Sequence, residues 1–237
     1  PDANFKAYLV KNFDTDKDGE ISDEEAYEVT SIGCDAMNIK TLDGIEKMPN
    51  LETLSCIENQ LTKIDVSHNN NLRGLICDKN NITEIELGNQ PRIENIWCTF
   101  NQLESLDISG CLTLRSITCW HNNLIALDVS KNTKLEFISC DNNNITSIDV
   151  SNNKELSVLQ CGGNLFTTID TKNNLKLETL NIFHCDKVES MDVSQNTNLK
   201  YFDCRTLSSH MDVYLKKGQV IENGFLTYDN VTIHSKE

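Results

Sequence analysis

Proline, aromatic residues and positive charge are all scarce in this chain. Three prolines in 237 residues leave the turns to other residues, and asparagine is abundant enough to build them. Lys and Arg number 21 against 36 Asp and Glu, a net charge of −15, and the isoelectric point is near 4.7. Nucleic-acid binding wants a basic stripe, so that balance argues against it. No hydrophobic run approaches the roughly 20 residues that cross a bilayer, so no membrane span is expected in this chain. No CxxC pair occurs. Nor is there a nucleophile elbow, a phosphate loop or a zinc-type histidine cluster. His68, His121, His184, His210 and His234 are scattered, none beside an obvious catalytic partner. The expectation is a protein that is not an enzyme. The first residue is Pro1 rather than Met, which suggests a processed or trimmed chain whose export signal would leave no trace.

What is present is a repeat of 21 residues. Leu51-Glu-Thr-Leu54-Ser-Cys56-Ile-Glu-Asn59 is answered by Leu72-Arg-Gly-Leu75-Ile-Cys77-Asp-Lys-Asn80. The frame restarts at Ile93, Leu114, Leu135, Leu156, Leu177 and, after one inserted residue, Leu199. A unit this short cannot bury its own apolar face, so successive units must stack into a solenoid. Leu54 and Cys56 alternate with outward residues, which predicts one strand per turn and a parallel sheet with strands about 4.8 Å apart. The second half, such as Leu61-Thr-Lys-Ile64-Asp-Val66, also alternates at period two and is too short for a helix of several turns. Asn59, Asn80, Asn101, Asn122, Asn143 and Asn164 mark one corner. Asn69, Asn132, Asn153, Asn174 and Asn196 mark the other. An amide both donates and accepts, so these ladders read as backbone-pairing devices rather than ligands.

The frame LxxLxCxxNxLxxIDVSxNxx resembles the leucine-rich repeat, in the short 21-residue (IRREKO-type) form found in bacterial secreted proteins. The resemblance covers roughly residues 29–204. It implies a right-handed solenoid with a parallel sheet on the concave side and an extended or short-strand convex side with little helix. It also implies an extracellular, cell-surface or periplasmic location.

Register explains the ten cysteines. Cys34, Cys56, Cys77, Cys98, Cys119, Cys140, Cys161 and Cys204 fall on one inward position, where Ile182 stands in the seventh turn. Cys185 replaces a first-corner Asn and Cys111 a second-corner Asn. Stacked cysteines would hold parallel Cβ atoms about 4.8 Å apart, beyond the usual disulfide spacing of about 3.8 Å. Free buried thiols are expected. One cysteine per turn cannot build a tetrahedral metal site.

Before the repeats lies Asp14-Thr-Asp16-Lys-Asp18-Gly19-Glu20-Ile21-Ser22-Asp-Glu-Glu25, which resembles an EF-hand calcium loop. The resemblance implies side-chain oxygens from Asp14, Asp16 and Asp18 and the backbone carbonyl of Glu20. Ser22 would bind directly or through water, and Glu25 through both carboxylate oxygens. Helices are expected from Asn4 to Asn12, with Phe5, Leu9 and Phe13 on one face, and from Ser22 onward. A single loop points to a Ca²⁺-stiffened cap rather than a sensor. The expected organisation is therefore a helix-loop-helix N-terminal cap at 1–32, a solenoid at 29–204 and a short β cap at 205–237, where the letters of the repeat fail.

Outward strand positions are mostly small or polar: Ser55, Ser116, Thr118, Ser139, Gln160. Trp97, Phe100, Trp120, His121 and Phe137 depart from that rule and are expected to form one patch, continued more distantly by Phe183 and His184. Exposed aromatics on a rigid surface suit a protein partner and also stack on sugars. The partner is expected to be an extracellular protein, or alternatively a glycan, bound by a monomer. Asp65, Glu86, Asp107, Asp128, Asp149, Asp170 and Asp192 form an outward carboxylate ladder, whose members are expected to raise one another's pKa. The favoured reading is hydrogen bonding to nearby Ser and corner backbone, and the alternative is an acidic strip for cations or basic partners.

Overall fold

The computed structural model describes residues 2–206 and 210–237. Two helices, α1 (Ala3–Phe13) and α2 (Asp23–Glu28), open the chain. Fifteen short strands follow: β1 (Ser31–Gly33), β2 (Thr53–Ser55), β3 (Lys63–Asp65), β4 (Gly74–Ile76), β5 (Glu84–Glu86), β6 (Asn95–Trp97), β7 (Ser116–Thr118), β8 (Phe137–Ser139), β9 (Val158–Gln160), β10 (Thr179–Asn181), β11 (Ser190–Asp192), β12 (Tyr201–Asp203), β13 (Met211–Lys216), β14 (Phe225–Leu226) and β15 (Val231–Lys236). A 3₁₀ turn, Ile45–Lys47, lies between β1 and β2.

Ten strands form one parallel sheet in the order β1-β2-β4-β6-β7-β8-β9-β10-β12-β14. The register is unbroken: Ile32, Leu54, Leu75, Ile96, Ile117, Ile138, Leu159, Leu180 and Phe202 are partners in succession. Each is buried, while its strand neighbours are at least partly exposed, apart from Ser139 and Asp203. The opposite side of the coil is thinner. There β3 pairs with β5, and β11 with β13 and β15, while the turns between are extended without strand pairing. Leu61, Ile64 and Val66 and their equivalents still point inward there, so the apolar interior is continuous from end to end. This is the leucine-rich-repeat solenoid expected from the repeat, with a parallel sheet and little helix.

The ladder cysteines, Cys111 and Cys185 are all buried and free. Burial raises the thiol pKa throughout, up to about 12 at Cys34, Cys111 and Cys204 and about 11 at Cys185. Thiolate, the reactive form, is therefore suppressed. Several thiols point to the carbonyl one turn on, as Cys77 Sγ does to Trp97 O at 3.4 Å.

The N-terminal helices cover the open end of the interior. Asp2 caps α1 by accepting from the N–H groups of Asn4 and Phe5. Phe5 and Leu9 of α1 and Ala26 of α2 join the core, while Phe13 packs at its margin. Tyr8 Oη accepts from Gly33 N at 2.9 Å, pairing a backbone donor on β1, the edge strand of the sheet. Edge strands otherwise leave such groups open to foreign strands.

At the other end the sequence period stops but the spatial period does not. β14 adds in parallel to β12, with Phe202 opposite Phe225 and their rings stacked at 5.4 Å. β13 and β15 pair in parallel over six residues, Met211 with Val231 through Lys216 with Lys236. Residues 210–237 thus extend both sides of the coil. They lack the Leu-Cys-Asn letters because parallel pairing asks only for extended backbone and apolar inward positions such as Met211 and Val213.

Candidate functional site

The acidic loop joins α1 to α2. Carboxylate oxygens of Asp14, Asp16 and Asp18 lie within 4.8 Å of one another. Each also accepts a backbone N–H of the loop. Asp14 takes Lys17 and Gly19, Asp16 takes Asp18, and Asp18 takes Glu20. Lys17 and Gly19 have φ of 64° and 87°, the left-handed region that lets the chain fold round its own side chains. Nothing lies within 4 Å of where a Gly19 Cβ would be, so the backbone angle, not space, is what favours glycine there.

The other three expected ligands stand differently. Ser22 caps α2 and forms a capping box with Glu25. The Glu25 carboxylate accepts from Ser22 N and Oγ with one oxygen and from Thr15 N and Oγ1 with the other. Those bonds, Ser22 N foremost, pull its pKa down to about 2. Glu25 thereby ties the end of the loop to its beginning, beside the aspartate cluster rather than within it. The Glu20 side chain pairs with Lys6 of α1, which leaves only its backbone carbonyl for the role the resemblance implies.

On the sheet face, three of the five expected aromatic residues come together. Phe100 meets Trp120 edge-on at 4.6 Å and stacks on His121 at 4.7 Å, and Trp120 lies 5.0 Å from His121. Phe100 and His121 have φ near 50°, so the corner turn itself swings both rings outward. Trp97 on β6 and Phe137 on β8 make no ring contact among the described residues. They sit in different outward columns of the sheet, one at the third strand position and one at the first. Trp97 is 44% exposed, among small neighbours such as Thr118. The single patch expected from the sequence is therefore a three-ring cluster at the corner with two separate rings on the sheet. Phe183 and His184 form their own stack at 3.7 Å, backed by the Arg205 guanidinium 4.8 Å from the Phe183 ring.

The carboxylate ladder corrects the electrostatic expectation. Asp65, Asp107, Asp128, Asp149 and Asp170 have lowered, not raised, pKa values. Each accepts the backbone N–H two residues on, at 2.9–3.0 Å, as Asp128 does from Ser130. Hydrogen bonds to the charged form outweigh repulsion between exposed neighbours, which water screens. The ladder is turn chemistry.

Three features escaped the sequence reading. Asp35, Asp78 and Asp141 each accept a backbone N–H from the next turn, at Ile57, Thr99 and Gly162. Arg205 grips the buried Asp203 through Nε and Nη2 at 2.9 and 2.7 Å. The consecutive glycines Gly162 and Gly163 line a notch in the sheet face. The glycines were visible as a departure from the repeat; the aspartates recur irregularly and gave no periodic signal.

Comparison with known proteins agrees with this architecture. No family model matches the chain. Over 69 residues it is 35% identical to internalin J of Listeria monocytogenes, a stretch covering 29% of this chain and 8% of that much longer protein. Among solved structures it superposes on the functional domain of InlJ from the same organism, described as including a cysteine ladder. The TM-score is 0.63 at 24% identity, over 98% of this chain and 70% of that one. It also matches Listeria monocytogenes InlP, with a TM-score of 0.68 at 19% identity over 98% and 68% of the two chains. A leucine-rich-repeat protein of Leptospira interrogans follows at 0.61 and 20%, over 83% and 59%. At these identities the likeness is one of fold, and the fold is the leucine-rich-repeat solenoid.

Proposed function

We propose that this chain is a non-catalytic recognition module of a bacterial secreted or surface protein, engaging a protein partner across the outer face of its ten-stranded sheet. The observation that carries the reading is the half-exposed Trp97, with Phe137 as a separate ring two strands away, on a sheet face of otherwise small or polar side chains. Large rings held by a stiff scaffold contribute contact area at small entropic cost, and such residues dominate protein interfaces. A net charge of −15 would favour encounter with a basic partner. The location follows from the bacterial internalin-type proteins it resembles. The test is capture of extracellular proteins by the wild type and by a Trp97→Ala/Phe137→Ala variant. Loss of a captured partner with an unchanged melting temperature supports the reading; a partner retained by the double variant removes it.

The same proposal includes a Ca²⁺ ion in the N-terminal loop, held by Asp14, Asp16 and Asp18 with the Glu20 carbonyl. Glu25 and Ser22 would complete the oxygen set on release from their present hydrogen bonds. Three crowded carboxylates and a left-handed Gly19 are the donor chemistry a hard cation uses. Its role is to stiffen the cap over the core. Calorimetric titration should show binding that Asp16→Ala abolishes, with a higher melting temperature in Ca²⁺ than in chelator. Absence of heat at millimolar Ca²⁺ would refute it.

A further inference from the structure

After each ladder cysteine, two residues turn outward beside the sheet. In the fifth turn they are Asp141 and Asn142, in the seventh Phe183 and His184, but in the sixth Gly162 and Gly163. A Cβ at Gly162 would lie 2.6 Å from the Phe183 carbonyl oxygen, and one at Gly163 2.4 Å from Asn142 Oδ1. Gly163 also has φ of 64°. Both glycines therefore let neighbouring turns approach closely, and they line a notch of about 410 Å³ on the surface, running from Trp120 to Phe183.

The two ends of the notch are fixed rings. Trp120 is held by Phe100 and His121, and Phe183 by His184 and the Arg205 guanidinium. They stand three turns apart, about 14 Å at 4.8 Å per turn. Between them the chemistry is polar, with amides and a single carboxylate. The side-chain amides of Gln160 and Asn142 make no hydrogen bond among the described residues. Asn181 also lines the notch; its Oδ1 accepts from Phe183 N at 2.9 Å, and its amide hydrogens have no partner among the described residues. Asp141 is the sole carboxylate there, and both its oxygens are engaged, by Gly162 N at 2.9 Å and Ser139 Oγ at 3.0 Å.

We infer that this notch is a binding site for a short neutral oligosaccharide lying across the turns, its apolar ring faces on Trp120 and Phe183 and its hydroxyls on the amides of Gln160, Asn181 and Asn142. The alternatives fit less well. A cation finds no free carboxylate. An anion finds no free base, because Arg205 is bonded at two points to Asp203. A peptide strand needs a sheet edge, and this is the middle of a sheet face. Amide pairs that donate and accept side by side suit vicinal hydroxyls, which do the same. Apolar walls with a few placed polar groups are the usual make-up of a small-ligand site. The inference does not depend on the protein-recognition reading, which uses Trp97 and Phe137.

The experiment is a glycan array of neutral and acidic tri- and tetrasaccharides, followed by calorimetry on the strongest neutral hit. Binding of a neutral glycan is expected, weakened at least about tenfold by Gln160→Ala and by Phe183→Ala and unchanged by Trp97→Ala. The Gln160 side chain makes no hydrogen bond among the described residues, so its variant should fold even if Phe183→Ala does not. No neutral hit, hits confined to acidic glycans, or wild-type affinity in Gln160→Ala would each overturn the inference.

Discussion

At the first corner of the coil, Asn80, Asn101, Asn122, Asn143 and Asn164 use both ends of the amide. Asn101 Oδ1 accepts from Ile82 N at 3.0 Å, and its Nδ2 faces the carbonyls of Cys77, Cys98 and Thr99 at 3.0–3.2 Å. At the second corner, Asn132, Asn153 and Asn174 use only the donor end. Asn153 Nδ2 reaches Val129 O and Asn132 O at 3.1 and 2.8 Å, while its buried Oδ1 accepts no hydrogen bond among the described residues. The same residue, buried at both corners, therefore does unequal work. The difference matches what each corner tolerates. The second accepts Gln90 and Cys111 in place of Asn, and Gln90 merely repeats the two donor bonds. Cys185 replaces Asn at the first corner, and its thiol donates one weak hydrogen bond, to Cys161 O at 3.4 Å.

The largest expected effect is at the first corner. Asn101→Ala strips partners from four backbone groups, and the loss should be about 3–5 kcal/mol, given ~1–3 kcal/mol for each buried group left unpaired and some local rearrangement. Asn153→Ala removes two bonds and should cost about 2 kcal/mol. Urea unfolding of the two variants decides between them; a greater loss for Asn153→Ala would break the contrast. Cys185→Asn sharpens it from the other side. Restoring an amide at this first-corner position should raise stability by about 1 kcal/mol, readable as a higher urea midpoint.

The smallest effect lies outside the corners, where hydrogen bonds are exposed. Glu25 has its pKa depressed from 4.5 to about 2 by Ser22 and Thr15. A depressed carboxyl stabilises the folded state fully above its unfolded pKa and loses that contribution as pH falls through the folded value. Acidification from about pH 4.5 to about pH 2 should therefore loosen the N-terminal cap, and Glu25→Gln should flatten that part of the pH profile of the helical circular-dichroism signal. An unchanged profile in the variant would show that the cap's acid response comes from other groups.

Repetition made most of the fold legible. Once Leu54, Cys56 and Asn59 recur in frame, their equivalents in every turn are assigned together, because stacking forces identical positions into identical environments. That is why the buried thiols, both Asn ladders and the inward apolar columns were readable in advance. The aspartate ladder shows the limit. Register placed Asp128 on the surface beside Asp107 and Asp149, but the sign of its pKa shift depended on the turn closing onto Ser130 N. The C-terminal segment shows a second limit, since β14 and β15 continue the coil through backbone pairing that leaves no Leu-Cys-Asn signature. At the candidate sites, the aspartate cluster was readable as a motif and the rings as departures from the frame. Which rings touch was not, because Phe100 and His121 depend on a left-handed corner that swings them onto Trp120.

The sequence by itself determined the solenoid, its period, its interior and the position of the acidic loop, since all four follow from local pattern and from the need of each short unit to bury its apolar face. Only the tertiary structure decided how Glu25 is engaged, that Tyr8 pairs with the sheet edge at Gly33, and that Gly162 and Gly163 line a notch between Trp120 and Phe183. Those depend on distances between side chains of different turns, which stacking sets and one-dimensional order does not contain.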